Sequence, residues 1–259
     1  MYSRCNNGNM KLLWMPLIPL LCLAHTLCAE EKKEAQPSGE PLSPRQLFDK
    51  VCAICHGKNG EGSEVLATPS IAGLPDWYIN EQIEKFRSDL RGTSPDDHPG
   101  QMMHNLVRAL GKKQTQGVAA LIASMRMHPT QNHLGGDAER GKQVFTDICA
   151  KCHRFNGQGD KFFGSAPLIG LQDWYIRAQL DKFRKGVRGG NPVDEKGFKM
   201  HQMTQELGQE DAANVTAYIA ELAKKYANQK SRRERELEEI RERKTQNPSA
   251  EKALPDELK

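Results

Sequence analysis

Apolar residues recur along this chain at helical intervals, and the same pattern is met twice. Ile79, Ile83, Phe86 and Leu90 are spaced four, three and four apart, and Ile176, Leu180, Phe183 and Val187 repeat that spacing. Each set therefore lies on one face of a helix. A later amphipathic stretch follows Gly111 (Val118, Leu121, Ile122, Met125) and is matched after Gly208 by Val215, Tyr218, Ile219 and Leu222. An earlier helix is expected from Ser43-Pro44, an N-cap followed by Pro at the first helical position, with Phe48, Val51, Cys52 and Cys55 on one side. Asp76 and Asp173 are expected to cap the helices that follow them. Gly- and Pro-rich loops such as 68–75 and 188–192 separate these stretches, and sustained strand alternation is missing. The fold class predicted is all-α.

The repeat has a constant offset. Adding 97 takes Asp76-Trp77-Tyr78-Ile79 to Asp173-Trp174-Tyr175-Ile176, Phe86-Arg87 to Phe183-Arg184 and Arg91-Gly92 to Arg188-Gly189. A period near a hundred residues means two complete domains in tandem rather than a solenoid. The organisation expected is a first domain at 43–128, a linker at 129–136 and a second domain at 137–227. The linker is short enough that the domains should touch. The Trp77/Trp174 and Tyr78/Tyr175 pairs are read as packing residues.

The ends have a different composition. Residues 1–29 carry Arg4 and Lys11, an apolar run from Leu12 to Leu27 and a small-residue site ending at Ala29, the layout of a cleaved signal peptide. That run contains Pro16 and Pro19 and is shorter than a membrane span requires. Residues 30–42 read as a flexible leader, and 228–259 as a charged C-terminal tail in which Leu237 and Ile240 are almost the only large apolar residues.

Candidate chemistry lies in Cys52-Ala-Ile-Cys55-His56 and its copy Cys149-Ala-Lys-Cys152-His153. C-x-x-C-H is the attachment signal for c-type haem: two thiols on one helical turn form thioethers, and the next His becomes an axial ligand. Zinc sites and thiol redox centres also use C-x-x-C. A four-Cys zinc site, however, would not need a His in the same place twice, and thioredoxin-like motifs belong in a βαβ pattern that this chain lacks. Of the seven cysteines, Cys5, Cys22 and Cys28 fall in the signal segment, and the other four are those of the two motifs. No thiol then remains for a disulfide, which suits export to an oxidising compartment. The other axial position has two candidate pairs under the same offset, Met103 with Met200 and His104 with His201.

These motifs, with Pro69-Ser70-Ile71-Ala72-Gly73 and the Met-containing segments, resemble the two-domain dihaem cytochromes c of the cytochrome c4 type over residues 43 to about 227. The resemblance implies two tandem class I cytochrome c domains, each wrapped around one covalent haem. Cys52, Cys55, His56, Cys149, Cys152 and His153 would hold the haems, with Met103 and Met200 as distal iron ligands. Met200 with Met203 fits the family's Met-x-x-Met segment, whereas Leu106 stands in the second place after Met103. The family's Pro in the loop after the motif orients the proximal His through a backbone carbonyl. Pro69 matches, but Pro167 is one residue closer to Gly170 than Pro69 is to Gly73, which leaves the second carbonyl open.

The function implied is electron carriage in an extracytoplasmic respiratory chain, periplasmic or peripheral to the membrane. Its partners would be redox proteins such as a membrane oxidase or a quinol-oxidising complex, together with the haem-attachment machinery. A dihaem peroxidase is the alternative, but it would call for asymmetry between the units, and the gapless repeat argues the other way. A net charge of +4 carries little information about the partner, and nothing suggests nucleic-acid binding.

Overall fold

The computed structural model describes residues 41–227 together with Glu239 and Glu242. The expected signal segment, the leader up to residue 40 and the rest of the tail lie outside the described residues. The fold is mostly helical. Among the described residues the only β-type pairings are two isolated bridges, Ser63 with Thr68 and Asp160 with Ser165, which are themselves related by the repeat. No described helix is long and apolar enough to cross a membrane.

The first module runs through α1 (Pro44–Leu47), α2 (Ala53–His56), α3 (Asp76–Arg87), α4 (His98–Arg108) and α5 (Lys112–Ala123). The second runs through α6 (Ala138–Val144), α7 (Ala150–His153), α8 (Asp173–Arg184), α9 (Glu195–Thr204) and α10 (Asp211–Tyr226). Ser43 forms the expected capping box with Gln46. A π-helical turn, Phe48–Cys52 or Phe145–Cys149, joins α1 to α2 and α6 to α7, and such turns recur at functional sites. Phe48 and Phe145, at the start of these turns, are 0 and 1 % exposed and anchor the segments that carry the cysteines.

Two expectations need correcting. Pro75 and Gln172, not the aspartates, occupy the N-cap positions of α3 and α8, while Asp76 and Asp173 begin the helices and accept the amides of Trp77 and Trp174. Leu90 and Val187 lie beyond the C-terminal ends of α3 and α8, because the chain turns after Arg87 and Arg184. Helices α4 and α9, which carry Met103 and Met200 against the core, are not among the helices expected from the sequence. They are started by buried Asp97 and Asp194, which accept the amides of Gly100 and Gly197.

The modules meet through α3 and α8 in a reciprocal pattern. Lys182 of module two reaches Asp97 of module one at 2.6 Å, and Lys85 of module one reaches Asp194 of module two at 2.9 Å. Under the offset of 97 these are one contact made twice. The linker is held mainly by module two: Thr130 donates to the carbonyls of Leu168 and Leu171, and Asp173 accepts the amides of His133 and Leu134.

Candidate haem sites

In each module a short helix places two half-buried thiols on one turn, with the His following at its C-terminal end. His56 Nδ1 lies 2.9 Å from the carbonyl of Pro69, and His153 Nδ1 lies 2.8 Å from that of Ala166. A carbonyl can only accept, so Nδ1 carries the proton in both rings and the Nε2 lone pair is left for a metal. Ala166 is the position equivalent to Pro69. The displaced Pro167 therefore does not shift the orienting carbonyl, which settles the point the sequence left open. Burial pushes both imidazoles below the usual histidine range, against the carbonyl contact, and favours the neutral, ligating form.

The thiols are shaped by the same burial. Before haem is attached it pushes the Cys52 thiol up to about 11 and the Cys149 thiol up to about 12, away from the thiolate form. Thr68 and Ser165 donate at 2.6 Å to the carbonyls of Cys55 and Cys152, which pins the loop after the motif to the helix before it. In module two, Cys149, Cys152 and His153 line a cavity of 510 Å³ together with Met200 and Met203. Tyr78, Gln82 and Lys85 of module one complete its wall.

Met103, like Met200, is half-buried against the core. The histidines one residue further on make contacts of their own. His104 Nε2 lies 2.7 Å from Asp89, and its Nδ1 faces Asn105. His201 Nδ1 lies 2.5 Å from the carbonyl of Phe183. Of the other histidines, His98 is exposed, His128 faces the carbonyl of Asn59, and His133 sits beside Asp173.

Sequence reasoning missed a polar cluster between the modules. Arg91 donates to Gln82 at 2.9 Å and to Tyr175 at 2.8 Å, and Arg188 donates to Gln179 and Gln82, each at 2.8 Å. Each guanidinium also lies over a phenylalanine, Arg91 over Phe86 and Arg188 over Phe183. Burial alone would raise the Tyr175 phenol, but Arg91 and Arg188 outweigh it and hold it below the usual tyrosine range. Tyr78 and Tyr175 are buried and packed on Trp77 and Trp174, as expected, but Tyr175 is also a polar partner. Recurrence of Gln82/Gln179 and Arg91/Arg188 at the same offset was the signal that could have found the cluster.

The cluster bears on whether haem fits. Two cations share a neutral Gln82 oxygen, no carboxylate pairs with either among the described residues, and Arg91 Nε is buried without a hydrogen-bond partner. Buried charge without a counter-ion is costly, so an anionic group belongs here. Haem has a large apolar plate with two carboxylates, which suits the cavity and the arginines together.

Fold and site thus define a class: helical modules in tandem, each built around a C-x-x-C-H helix and its oriented histidine. The chain belongs to the cytochrome c family, whose model matches residues 45–126 and again 138–223. Each module binds one covalent haem c through its cysteine pair, Cys52/Cys55 or Cys149/Cys152, which makes the protein a dihaem electron carrier. Among curated relatives, the thiosulfate dehydrogenase electron acceptor of Stutzerimonas stutzeri is 26 % identical, over 69 % of this chain and 82 % of its own. Cytochrome c4 of Azotobacter vinelandii is 25 % identical, over 65 % and 83 %. The cbb3-type cytochrome c oxidase subunit FixP of Sinorhizobium medicae is 30 % identical, over 57 % of this chain and 54 % of its own. The solved cytochrome c4 of Acidithiobacillus ferrooxidans superposes with a TM-score of 0.55 at 24 % identity, covering 66 % of this chain and 98 % of that one, and supports the fold.

Proposed function

We propose that the chain carries electrons in an extracytoplasmic respiratory chain, with His56/Met103 and His153/Met200 as the axial ligand pairs. The observation that carries the ligand reading is that Met200 shares one cavity with Cys149, Cys152 and His153, whereas His201 is not among the residues that line it and His104 Nε2 is held by Asp89. When bound, haem supplies iron that alternates between ferric and ferrous, and a neutral thioether ligand favours the ferrous form and raises the potential.

The chain's own residues do the rest. Pro69 and Ala166 hold the imidazoles in the tautomer that ligates. Arg91 and Arg188 would meet the haem carboxylates between the modules and keep the two sites close. The buried walls exclude water, which stabilises the ferrous state further. Electrons would enter from an exported dehydrogenase or quinol-oxidising complex and leave to a terminal oxidase, in keeping with the relatives named for a thiosulfate dehydrogenase and a cbb3 oxidase. This role places the mature chain in the periplasm, free or peripheral to the membrane.

The test is spectroscopic. The ferric protein should show the weak far-red charge-transfer band of Met ligation, lost in part in Met103→Ala and in part in Met200→Ala. If His104→Ala and His201→Ala change the haem spectra while the Met variants do not, the ligands are paired histidines and this reading is wrong. Steady-state peroxide turnover by the reduced protein would overturn the carrier role.

A further inference from the structure

The two contacts that cross between the modules end on the same structural device. Asp97 is the N-cap of α4, the helix that carries Met103, and it is 3 % exposed. Its Oδ1 accepts the Gly100 amide at 2.9 Å and Lys182 Nζ of the other module at 2.6 Å. Asp194 is the N-cap of α9, the helix that carries Met200, and its Oδ1 accepts the Gly197 amide at 3.0 Å and Lys85 Nζ at 2.9 Å. The carboxylates fit tightly into these first turns: a Cβ on Gly100 or Gly197 would lie only 2.2 or 2.1 Å from Oδ2, the carboxylate oxygen beside the capping one.

From this geometry we infer that Lys182 and Lys85 are positioning residues for the distal methionine of the opposite module. The inference rests on the Met103/Met200 reading. Met103 follows Gly100 by three residues, about one turn, so a cap that fixes the first turn fixes the height and rotation of the methionine. Without its lysine, buried Asp97 loses its one ion pair among the described residues. Water then enters in place of the ammonium and loosens the amide contact that starts the helix. The effect falls on module one although the altered residue is in module two.

The two clamps are not equal. Lys182 has Asp97 as its one ion-pair partner among the described residues. Lys85 is shared between Asp194 and Glu81, and Glu81 is held in turn by Lys196. Ala178 and Pro99 stand at the positions equivalent to Glu81 and Lys196, so module one has no such network. The larger loss is therefore expected from Lys182.

The test uses the full-length ferric holoprotein in a Met200→Ala background, where the far-red band reports module one alone. Adding Lys182→Met should remove the remaining band, Lys182→Arg should restore it, and Lys85→Met should leave it. If Lys182→Met does not accumulate as folded protein, Lys182→Gln should weaken the band in the same direction. Amide exchange should accelerate at Gly100 but not at Gly197 in Lys182→Met with both methionines intact. A far-red band absent from the wild type overturns the methionine reading and this inference with it. A band present in the wild type and unchanged by Lys182→Met, or equal acceleration at Gly100 and Gly197, overturns the inference alone.

Discussion

The two modules place their haem-attachment helices, oriented histidines and cross-module contacts at equivalent positions, yet they differ at the solvent-facing rims of those sites. Around the mouth of module two stand Lys151, Lys161, Lys196 and Lys199, with exposed Phe162 and Phe163. The equivalent positions in module one are Ile54, Glu64, Pro99 and Met102, with exposed Val65 and Leu66. Lys151, Lys161 and Lys199 have no ion-pair partner among the described residues, whereas Lys196 is tied to Glu81. The small net charge of the whole chain hides this contrast, because what a partner meets is the local field at one mouth. Shared interior positions build two like redox sites, and divergent rim positions give them different surroundings.

The largest way to break the comparison is to remove one site. Replacing Cys149 and Cys152 together with serine should lower the intact mass by one haem and leave module one's haem resistant to acid-acetone extraction. Retention of both haems would contradict covalent attachment at these residues.

Next in size is the crossing of the first and last helices. In module two Gly141 on α6 lies against α10, where an added Cβ would sit 1.9 Å from the Asn214 carbonyl. In module one the glycine is on the other partner: Gly117 on α5 faces Pro44, and its Cβ would sit 3.0 Å from a side-chain carbon. Gly141→Ala should destabilise by about 3 kcal/mol and Gly117→Ala by about 1 kcal/mol or less, as overpacking against backbone is harder to relieve. Chemical denaturation of the two variants checks this, and equal losses would contradict it.

A third difference concerns acid. Asp173 is 0 % exposed and accepts the amides of His133, Leu134 and Trp174, while exposed Asp76 accepts only that of Trp77. Burial would raise the Asp173 carboxyl, but the amides outweigh it and hold it below the ordinary value of 3.8. A depressed folded value means that the stabilisation is present above the unfolded value and lost as pH falls through the folded one. Asp173→Asn should therefore cost about 1–3 kcal/mol at neutral pH and less in acid, and Asp76→Asn only a few tenths. Melting curves at pH 7 and pH 3 would show it; a pH-independent loss in Asp173→Asn contradicts the assignment.

The smallest effect is kinetic. The anionic oxidant hexacyanoferrate(III) should take electrons faster from module two, by up to roughly tenfold at low salt, and the advantage should fade as salt screens the lysines. Lys151→Glu with Lys199→Glu should abolish it and raise the rate with a cationic cobalt complex. An unchanged rate with the anion would show that the rim charge does not reach the haem edge.

Much of this was legible in the sequence because it depends on spacing. The C-x-x-C-H motifs, the stripes of α3 and α8 and the offset of 97 all survive without tertiary information. The helices bearing Met103 and Met200 were not read as helices. A buried Asp starts each of them and is held by a lysine of the other module, a contact that exists only once the modules pack. The Arg91/Arg188 cluster was legible as a repeat but not as a site, because two like charges are brought together only when the modules pack. The carbonyl that orients His153 was obscured because the eye follows Pro167, whereas the backbone register is kept by Ala166.

Exposure of the fully reduced protein to carbon monoxide tests most directly whether both sites are closed by the protein and serve electron carriage. Neither haem spectrum should change, as the proposed ligation by Met103 and Met200 would leave no open position in either module. Stoichiometric binding at one haem would reveal an open coordination position, contradict the equivalence of the modules and turn the assignment toward a haem enzyme.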